Sequence, residues 1–196
     1  MRSSIEANAG LVAELTPNEV EPATLEPGVY RNIMGNSALA LGLVAASRRS
    51  GLPLFLGSYP ITPATSILEE VARLKHFGVK TFQAEDEIAG VGVALGAAFT
   101  GHLAVTTTSG PGVALKSETL SLALATELPL ILVDVQRAGP STGMPTGPGQ
   151  SDVMQAMWGT HGDHAAIALV PNSCQEIFEE TVRAFNLAEK YRMPVQ

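Results

Sequence analysis

The sequence predicts an α/β fold of the doubly wound type, a mainly parallel sheet with helices on both faces. Three observations predict it. From Asn36 onward, short apolar runs alternate with helical stretches, the pattern of parallel strands joined by crossover helices. The chain has 196 residues, 45% hydrophobic and 16% charged, enough for one domain of roughly 150 residues and a remainder. Its 19 Gly and 13 Pro are clustered, many of them where predicted strands hand over to helices, which is where open α/β sheets bind ligands.

Residues 1–30 are polar and acidic, with Pro17, Pro22 and Pro27 spaced through a stretch that lacks sustained periodicity. They read as an arm or linker, and the domain is expected over 31–196. Asn36 or Ser37 can cap a first helix whose apolar positions Leu39, Leu41, Leu43 and Val44 lead to Arg48, Arg49 and Gly51. There follow a strand over 53–56, a helix over 63–74, a strand over 79–83 and a helix over 87–99. The alternation continues with a strand over 103–107, a helix over 113–126, a strand over 130–135 and a Gly/Pro-rich loop over 136–150. A short helix near 152–158, a strand over 165–170 and a helix over 173–191 complete the pattern. Residues 193–196 read as the opening of another strand, so the domain is expected to be cut from a longer chain, with an edge that a partner covers.

Charge and composition exclude several classes. Twelve Lys plus Arg against 19 Asp plus Glu give a formal charge of −7, and the basic residues form no cluster, so nucleic acid and an anionic membrane surface are not expected partners. The single Cys174 offers neither an internal disulfide nor a metal-binding thiol set, which points to a cytoplasmic location. The longest apolar stretch is interrupted by Thr126, Glu127, Pro129 and Asp134, so no membrane span is expected.

Four strand-to-helix loops carry candidate chemistry. In Gly57-Ser58-Tyr59-Pro60-Ile61-Thr62-Pro63, Thr62 is a natural N-cap and Pro63 suits the first helical position, which leaves Tyr59-Pro60 without a structural reason. Gln83-Ala84-Glu85-Asp86-Glu87 puts three carboxylates where a strand becomes a helix. The helix dipole rewards acids there by about 0.3–1 kcal/mol, but three exceed what a cap requires. Gly90, Gly92 and Gly96 miss dinucleotide spacing by one residue, and the adjacent acids would repel a pyrophosphate, which excludes a Rossmann site.

Ser109-Gly110-Pro111-Gly112 follows the hydroxyl run Thr106-Thr107-Thr108. Glycine lets backbone approach a ligand, and hydroxyls with N–H groups hold polar atoms; a tight turn is the alternative. The loop over 136–150 is too long for an ordinary βα connection of about 2–6 residues. Arg137 opens it directly after an apolar strand and suits bidentate capture of a carboxylate or phosphate, with a solvated surface Arg as the alternative. Two further patterns are rejected. His161, Asp163 and His164 lack a third ligand at zinc spacing, and Gly162-Asp163 with Asn186 departs from a magnesium-diphosphate motif at His164.

Taken together, the loops resemble a known family. Tyr59-Pro60-Ile61-Thr62-Pro63, Gln83-Ala84-Glu85-Asp86-Glu87-Ile88-Ala89, Thr107-Thr108-Ser109-Gly110-Pro111-Gly112 and Val133-Asp134-Val135-Gln136-Arg137-Ala138-Gly139-Pro140-Ser141-Thr142-Gly143, continuing to Pro145-Thr146, are similar to motifs of one enzyme class. It is the alpha subunit, or pyrimidine-binding domain, of thiamine-diphosphate-dependent 2-oxoacid:ferredoxin oxidoreductases, especially the 2-oxoglutarate type. Residues 1–30 look like the join to an upstream gamma-type domain that fused members carry.

The resemblance implies oxidative decarboxylation of a 2-oxoacid with CoA to an acyl-CoA, with electrons passing to ferredoxin. In similar enzymes a Glu of this domain hydrogen-bonds the aminopyrimidine of thiamine diphosphate. Glu85 or Glu87 matches that role, and Glu87 is favoured because related enzymes carry their Glu nine residues before a helix Gly, as Glu87 stands to Gly96. Tyr59, Pro60, Ile61, Thr62, Ser109 and Gly110 match the cofactor's surroundings, and Thr62, Arg137 and Thr146 match positions near the substrate's carboxylate or carbonyl. No metal ligand is expected on this chain. The magnesium-diphosphate motif and an iron–sulfur cysteine set are missing, so Mg2+, the cluster and the diphosphate site are expected on a beta subunit. Pyruvate, branched-chain or aryl 2-oxoacids are alternative substrates, and a noncatalytic scaffold is the alternative role.

Overall fold

The structure is a computed structural model that describes residues 26–196, so most of the arm expected over 1–30 lies outside the described residues. The chain divides between Asn32 and Ile33, and the fold and its site are built from residues 33–196. The elements are α1 (Gly35–Ser50), β1 (Leu54–Ser58), α2 (Thr65–Arg73) with a 3-10 turn (Lys75–Phe77), β2 (Lys80–Gln83), α3 (Glu87–Phe99) and β3 (Leu103–Thr108). There follow α4 (Gly110–Ala125), β4 (Leu130–Asp134), α5 (Val153–Trp158), α6 (Cys174–Tyr191) and β5 (Pro194–Val195).

The five strands form one sheet in the order β2-β1-β3-β4-β5, and every pair is parallel. The expected doubly wound α/β fold is therefore the observed one. Alternation along the strands builds a core on each face. Leu54, Leu56, Leu103, Val105 and Ile131 pack under α1, α2 and α6, while Ala104, Leu130 and Leu132 pack under α3 and α4 with Phe55 beside them. Strand order reverses between β1 and β3, which makes the carboxyl ends of these two strands the topological switch point.

Helix boundaries differ from expectation where side chains found tertiary partners. Asn36 does not cap α1, whose N-cap is Met34; its amide instead donates to Pro63 O and Ser66 Oγ at 2.9 and 2.8 Å. Thr62 does not cap α2 either. The Thr62–Pro63 peptide is cis, residues 62–64 form a turn, and α2 begins at Thr65 behind Ala64. α4 starts at Gly110 rather than 113, with Ser109 as N-cap.

The strand expected over 165–170 is not one. Only Ile167 bridges Val195, with Gln196 N donating to Ile167 O and Leu169 N to Gln196 O. The segment beside β5 is held at its edge by those two bonds and the single bridge, while β5 itself pairs with β4.

Candidate active site

The three acids after β2 have separated roles. Asp86 caps α3, its carboxylate accepting from Ala89 N at 2.7 Å, and Glu85 is exposed. Glu87 is half-buried on the first turn of α3 and leans on α4. A Cβ placed on Gly112 would lie 3.0 Å from Glu87 Cγ and would collide with Thr108 Oγ1. Glycine at 112 is what allows this acid to rest against the opening turn of α4.

Two further glycines press α3 onto β1. A Cβ on Gly57 would sit 2.9 Å from Gly90 O, and one on Gly90 would sit 3.3 Å from Tyr59 N. The loop after β1 therefore passes beside the turn that carries Glu87. There Tyr59 is exposed, Pro60 and Ile61 are half-buried and Thr62 is exposed.

Behind Glu87 the end of β3 is polar and closed to solvent. Thr106, Thr107, Thr108 and Ser109 are all buried. Ser58 Oγ lies 2.7 Å from both Thr107 O and Thr107 Oγ1, clasping β1 to β3. Ser109 Oγ is buried without a partner, and Gly110 beside it is the first residue of α4. An orphaned hydroxyl, a helix N-terminus and a carboxylate are donors and acceptors suited to a flat ring bearing both N–H groups and ring nitrogens.

Arg137 is 7% exposed and joins two loops. Its Nη1 donates to Thr62 O at 2.7 Å and its Nη2 to Thr142 O at 2.5 Å, while Nε is buried without a partner. The guanidinium thus stands at the sheet's ligand edge, with part of its hydrogen-bonding capacity committed to backbone. The loop after it folds on itself, with Ala138 N donating to Gly147 O and Met144 N to Ala138 O. Thr146 lies exposed in that loop. Glu87 with Thr108, and Thr62 with Arg137, are brought together; the structure makes no direct link between Thr146 and either pair.

Three titratable residues in this region were not among the sequence candidates. Lys116 is fully buried, with Nζ donating to Thr106 Oγ1 at 2.5 Å and Thr107 O at 3.3 Å. Burial lowers its pKa to about 8, against an opposing pull from the Glu87 charge. The signal was available: Val113, Lys116, Leu120 and Ala123 form the buried stripe of α4, a helical spacing that places one lysine among apolar residues. Asp134 ends β4, and burial first, then the charge of the facing Asp152, push its pKa up to about 7. Asp152 packs at Gly110, where a Cβ would meet its Oδ2 at 2.6 Å, and its N–H donates to Gln136 Oε1 at 3.0 Å.

A groove of about 510 Å³ runs along the other side of β4, lined by Asn36, Val133, Asp134, Gln136, Asp152 and Gln196 among others; Glu87, Thr62 and Arg137 do not line it. Among the described residues, no group of three or more His, Cys, Asp or Glu is placed to hold a metal. No helix among them is long and apolar enough to cross a membrane.

The chain is 54% identical over 180 residues to the 2-oxoglutarate oxidoreductase subunit KorA of Mycobacterium tuberculosis, an alignment covering 92% of this chain and 28% of that protein. It is 52% identical over 164 residues to the 2-oxoglutarate synthase subunit KorA of Methanothermobacter marburgensis, covering 83% and 42%. The chain thus spans well under half the length of these relatives. Among solved structures, the 2-oxoglutarate:ferredoxin oxidoreductase of Magnetococcus marinus, with 2-oxoglutarate, coenzyme A and succinyl-CoA bound, matches with a TM-score of 0.77 and 46% identity, covering 83% of this chain and 28% of that one. Residues 48–196 match the family described as pyruvate flavodoxin/ferredoxin oxidoreductase, thiamine diP-bdg. With the switch point, Glu87 and the loops around it inside the matched region, the chain belongs to that thiamine-diphosphate-binding family of pyruvate flavodoxin/ferredoxin oxidoreductases.

Proposed function

We propose that this chain supplies the pyrimidine side of a thiamine diphosphate site in a 2-oxoacid:ferredoxin oxidoreductase acting on 2-oxoglutarate. The reaction releases the substrate's carboxylate as CO2, joins the remaining acyl group to CoA as a thioester with loss of the thiol proton, and passes two electrons to ferredoxin. Two KorA subunits named for 2-oxoglutarate support that substrate over pyruvate, branched-chain or aryl 2-oxoacids. The observation that carries the reading is Glu87, a carboxylate on the first turn of a helix, resting on Gly112 at the switch point of the sheet.

When bound, thiamine diphosphate supplies the carbon nucleophile that attacks the 2-oxoacid carbonyl and the electron sink for decarboxylation. The Glu87 carboxylate accepts and holds a proton at the aminopyrimidine ring nitrogen. Glu85, exposed on the approach to α3, is the alternative acid at the same loop. Tyr59, Pro60, Ile61 and Thr62 bound the ring from the loop after β1, and Ser109 and Gly110 offer a hydroxyl and a backbone N–H. Arg137, with Thr62 and Thr146, orients the substrate's carboxylate, and the buried, unpartnered Nε is a donor still available for it. A scaffold without catalysis has no use for these groups at one edge.

By the same family resemblance, the iron–sulfur cluster, Mg2+ and the diphosphate site are assigned to a beta subunit. The active site is then shared between chains, and this chain alone is inactive. The same reading carries the cytoplasmic location, the 1–30 arm as a join to an upstream gamma-type domain, and 31–196 as the pyrimidine-binding domain. The test is Glu87→Gln in the complex with its beta subunit. Decarboxylation is expected to fall by at least 100-fold, at the low end of what a positioned acid–base group contributes, while the complex still assembles. Turnover near the wild-type level would overturn the assignment.

A further inference from the structure

The turn that carries Thr62 presents consecutive backbone carbonyls, each with a different donor. Ile61 O accepts from Thr65 N at 3.0 Å, Thr62 O from Arg137 Nη1 at 2.7 Å, and Pro63 O from Asn36 Nδ2 at 2.9 Å. Backbone carbonyls withdrawn from water have to find partners, and here the first partner is local. The other two are side chains 75 and 27 positions away in sequence. They reach the turn from opposite directions, Arg137 from the loop after β4 and Asn36 from the first turn of α1.

These bonds fix the backbone around one side chain. Peptide groups are planar units, so holding Ile61 O and Thr62 O sets the direction in which the Thr62 Cα–Cβ bond leaves the chain. Holding Pro63 O sets the next peptide group, just ahead of α2. An amide nitrogen carries two N–H donors, and Asn36 commits the second to Ser66 Oγ at 2.8 Å, on the first turn of α2. Asparagine is a weaker helix former than alanine, and Asn36 does not cap α1, whose N-cap is Met34. Its place on α1 is therefore explained by the turn it reaches and not by the helix that carries it.

We propose that Asn36 is a positioning residue for the substrate end of the site: by holding Pro63 O it fixes the turn at Thr62, so that Arg137 is not the sole side chain supporting that turn and keeps its remaining donor for a 2-oxoacid carboxylate. Asn36 touches no reacting group and acts only through Thr62 and Arg137. The inference rests on the reading of Thr62 and Arg137 given above.

The test uses the complex assembled with its beta subunit and measures steady-state kcat and KM for 2-oxoglutarate, with thermal denaturation alongside. Asn36→Asp keeps the size and shape of the side chain and removes both donors. An acid in the first turn of a helix is favoured by the helix dipole, so α1 itself is not weakened. With one hydrogen bond lost and an acid facing the carbonyl it served, KM is expected to rise about 3–10-fold. Because the loss falls on ground-state and transition-state binding alike, kcat is expected to stay within about twofold of wild type, and Tm within about 4 °C. Ser66→Ala breaks the amide's other bond and leaves the one to Pro63, and its KM is expected to stay within about twofold of wild type.

An Asn36→Asp complex that assembles normally and keeps the wild-type KM would overturn the proposal. So would a fall in kcat and Tm at unchanged KM, the signature of a purely structural residue. An equal rise of KM in Ser66→Ala would also overturn it, by assigning the effect to the contact between α1 and α2. Should Asn36→Asp fail to assemble, Asn36→Ala decides: the same rise in KM is expected, and an unmoved KM counts against the proposal equally. Arg137→Ala separates the two readings. If it raises KM while Asn36→Asp changes nothing, only the role of Asn36 fails; if Arg137→Ala leaves KM unchanged, the reading of the carboxylate site fails.

Discussion

The guanidinium of Arg137 donates to the carbonyl of Thr62 at 2.7 Å, tying the loop after β1 to the loop after β4 across the top of the sheet. Together with the bond to Thr142 O, this makes Arg137 both a candidate substrate contact and the strut that holds Thr62. Hydrogen bonds to charged groups contribute about 1.5–3 kcal/mol each. Arg137→Ala in the assembled complex is expected to raise the 2-oxoacid KM by roughly tenfold or more, read from steady-state rates. An unchanged KM would remove Arg137 from the carboxylate site.

Gly112 leaves no room for a methyl group. Gly112→Ala would drive a Cβ into Thr108 Oγ1 and against Glu87 Cγ, inside a closed part of the core. Overpacking of this kind costs about 1–3 kcal/mol, and a loss of about 1 kcal/mol lowers Tm by roughly 2–4 °C in a domain of this size. Thermal denaturation should show the drop, and calorimetry should show thiamine diphosphate affinity falling with it because Glu87 is displaced. Wild-type affinity in Gly112→Ala would mean that Glu87 does not need this seat.

Asp134 makes stability depend on acid pH. Its folded pKa, about 7, stands above its ordinary value of 3.8 because of burial first and the facing Asp152 second. The folded chain therefore holds a proton that the unfolded chain releases, and the associated stability is full below about pH 4 and lost as pH rises through 7. Asp134→Asn removes the titration. Urea denaturation at stepped pH is expected to give a flatter stability profile for the variant between pH 4 and 7.

Lys116 acts in the alkaline range with the opposite sign. Its folded pKa, about 8, lies below the ordinary 10.5 because of burial, so between these values the unfolded chain binds more protons and stability rises with pH. The cost of the buried charge is fully present below about pH 8 and is relieved by about pH 10.5. In Lys116→Met the same denaturation series should show no such rise. A rise of wild-type size in the variant would assign it to another group.

The sheet, the order of its helices and the loops at its ligand edge were legible because each follows from local periodicity. α3 begins and ends as read, since Asp86 is a strong cap and its first turn is acidic. What sequence could not show was which polar side chains would leave their local role. Asn36 and Thr62 both look like caps, yet Asn36 reaches Pro63 and Ser66 while Thr62 is held through its carbonyl by Arg137. Asp134 and Asp152 are far apart in the chain and meet only when β4 and the start of α5 flank the same helix end. Lys116 was readable in principle, because its helical spacing assigns it to the buried stripe, but periodicity alone does not say which neutral groups would receive it.

The contact between Gly57 and Gly90 bears on how accurately the acid is mounted. Most helices rest on a sheet through side chains, which act as compliant spacers. Here the backbone of α3 rests on the backbone of β1, with no room for a methyl group at Gly57 and little at Gly90. The distance from the sheet to Glu87 is thus set by covalent geometry and van der Waals contact instead of by rotamers. Tolerance at the proposed site is inherited from two residues that carry no functional group, and a slight misfit at either would degrade the placement of Glu87 long before it unfolded the domain.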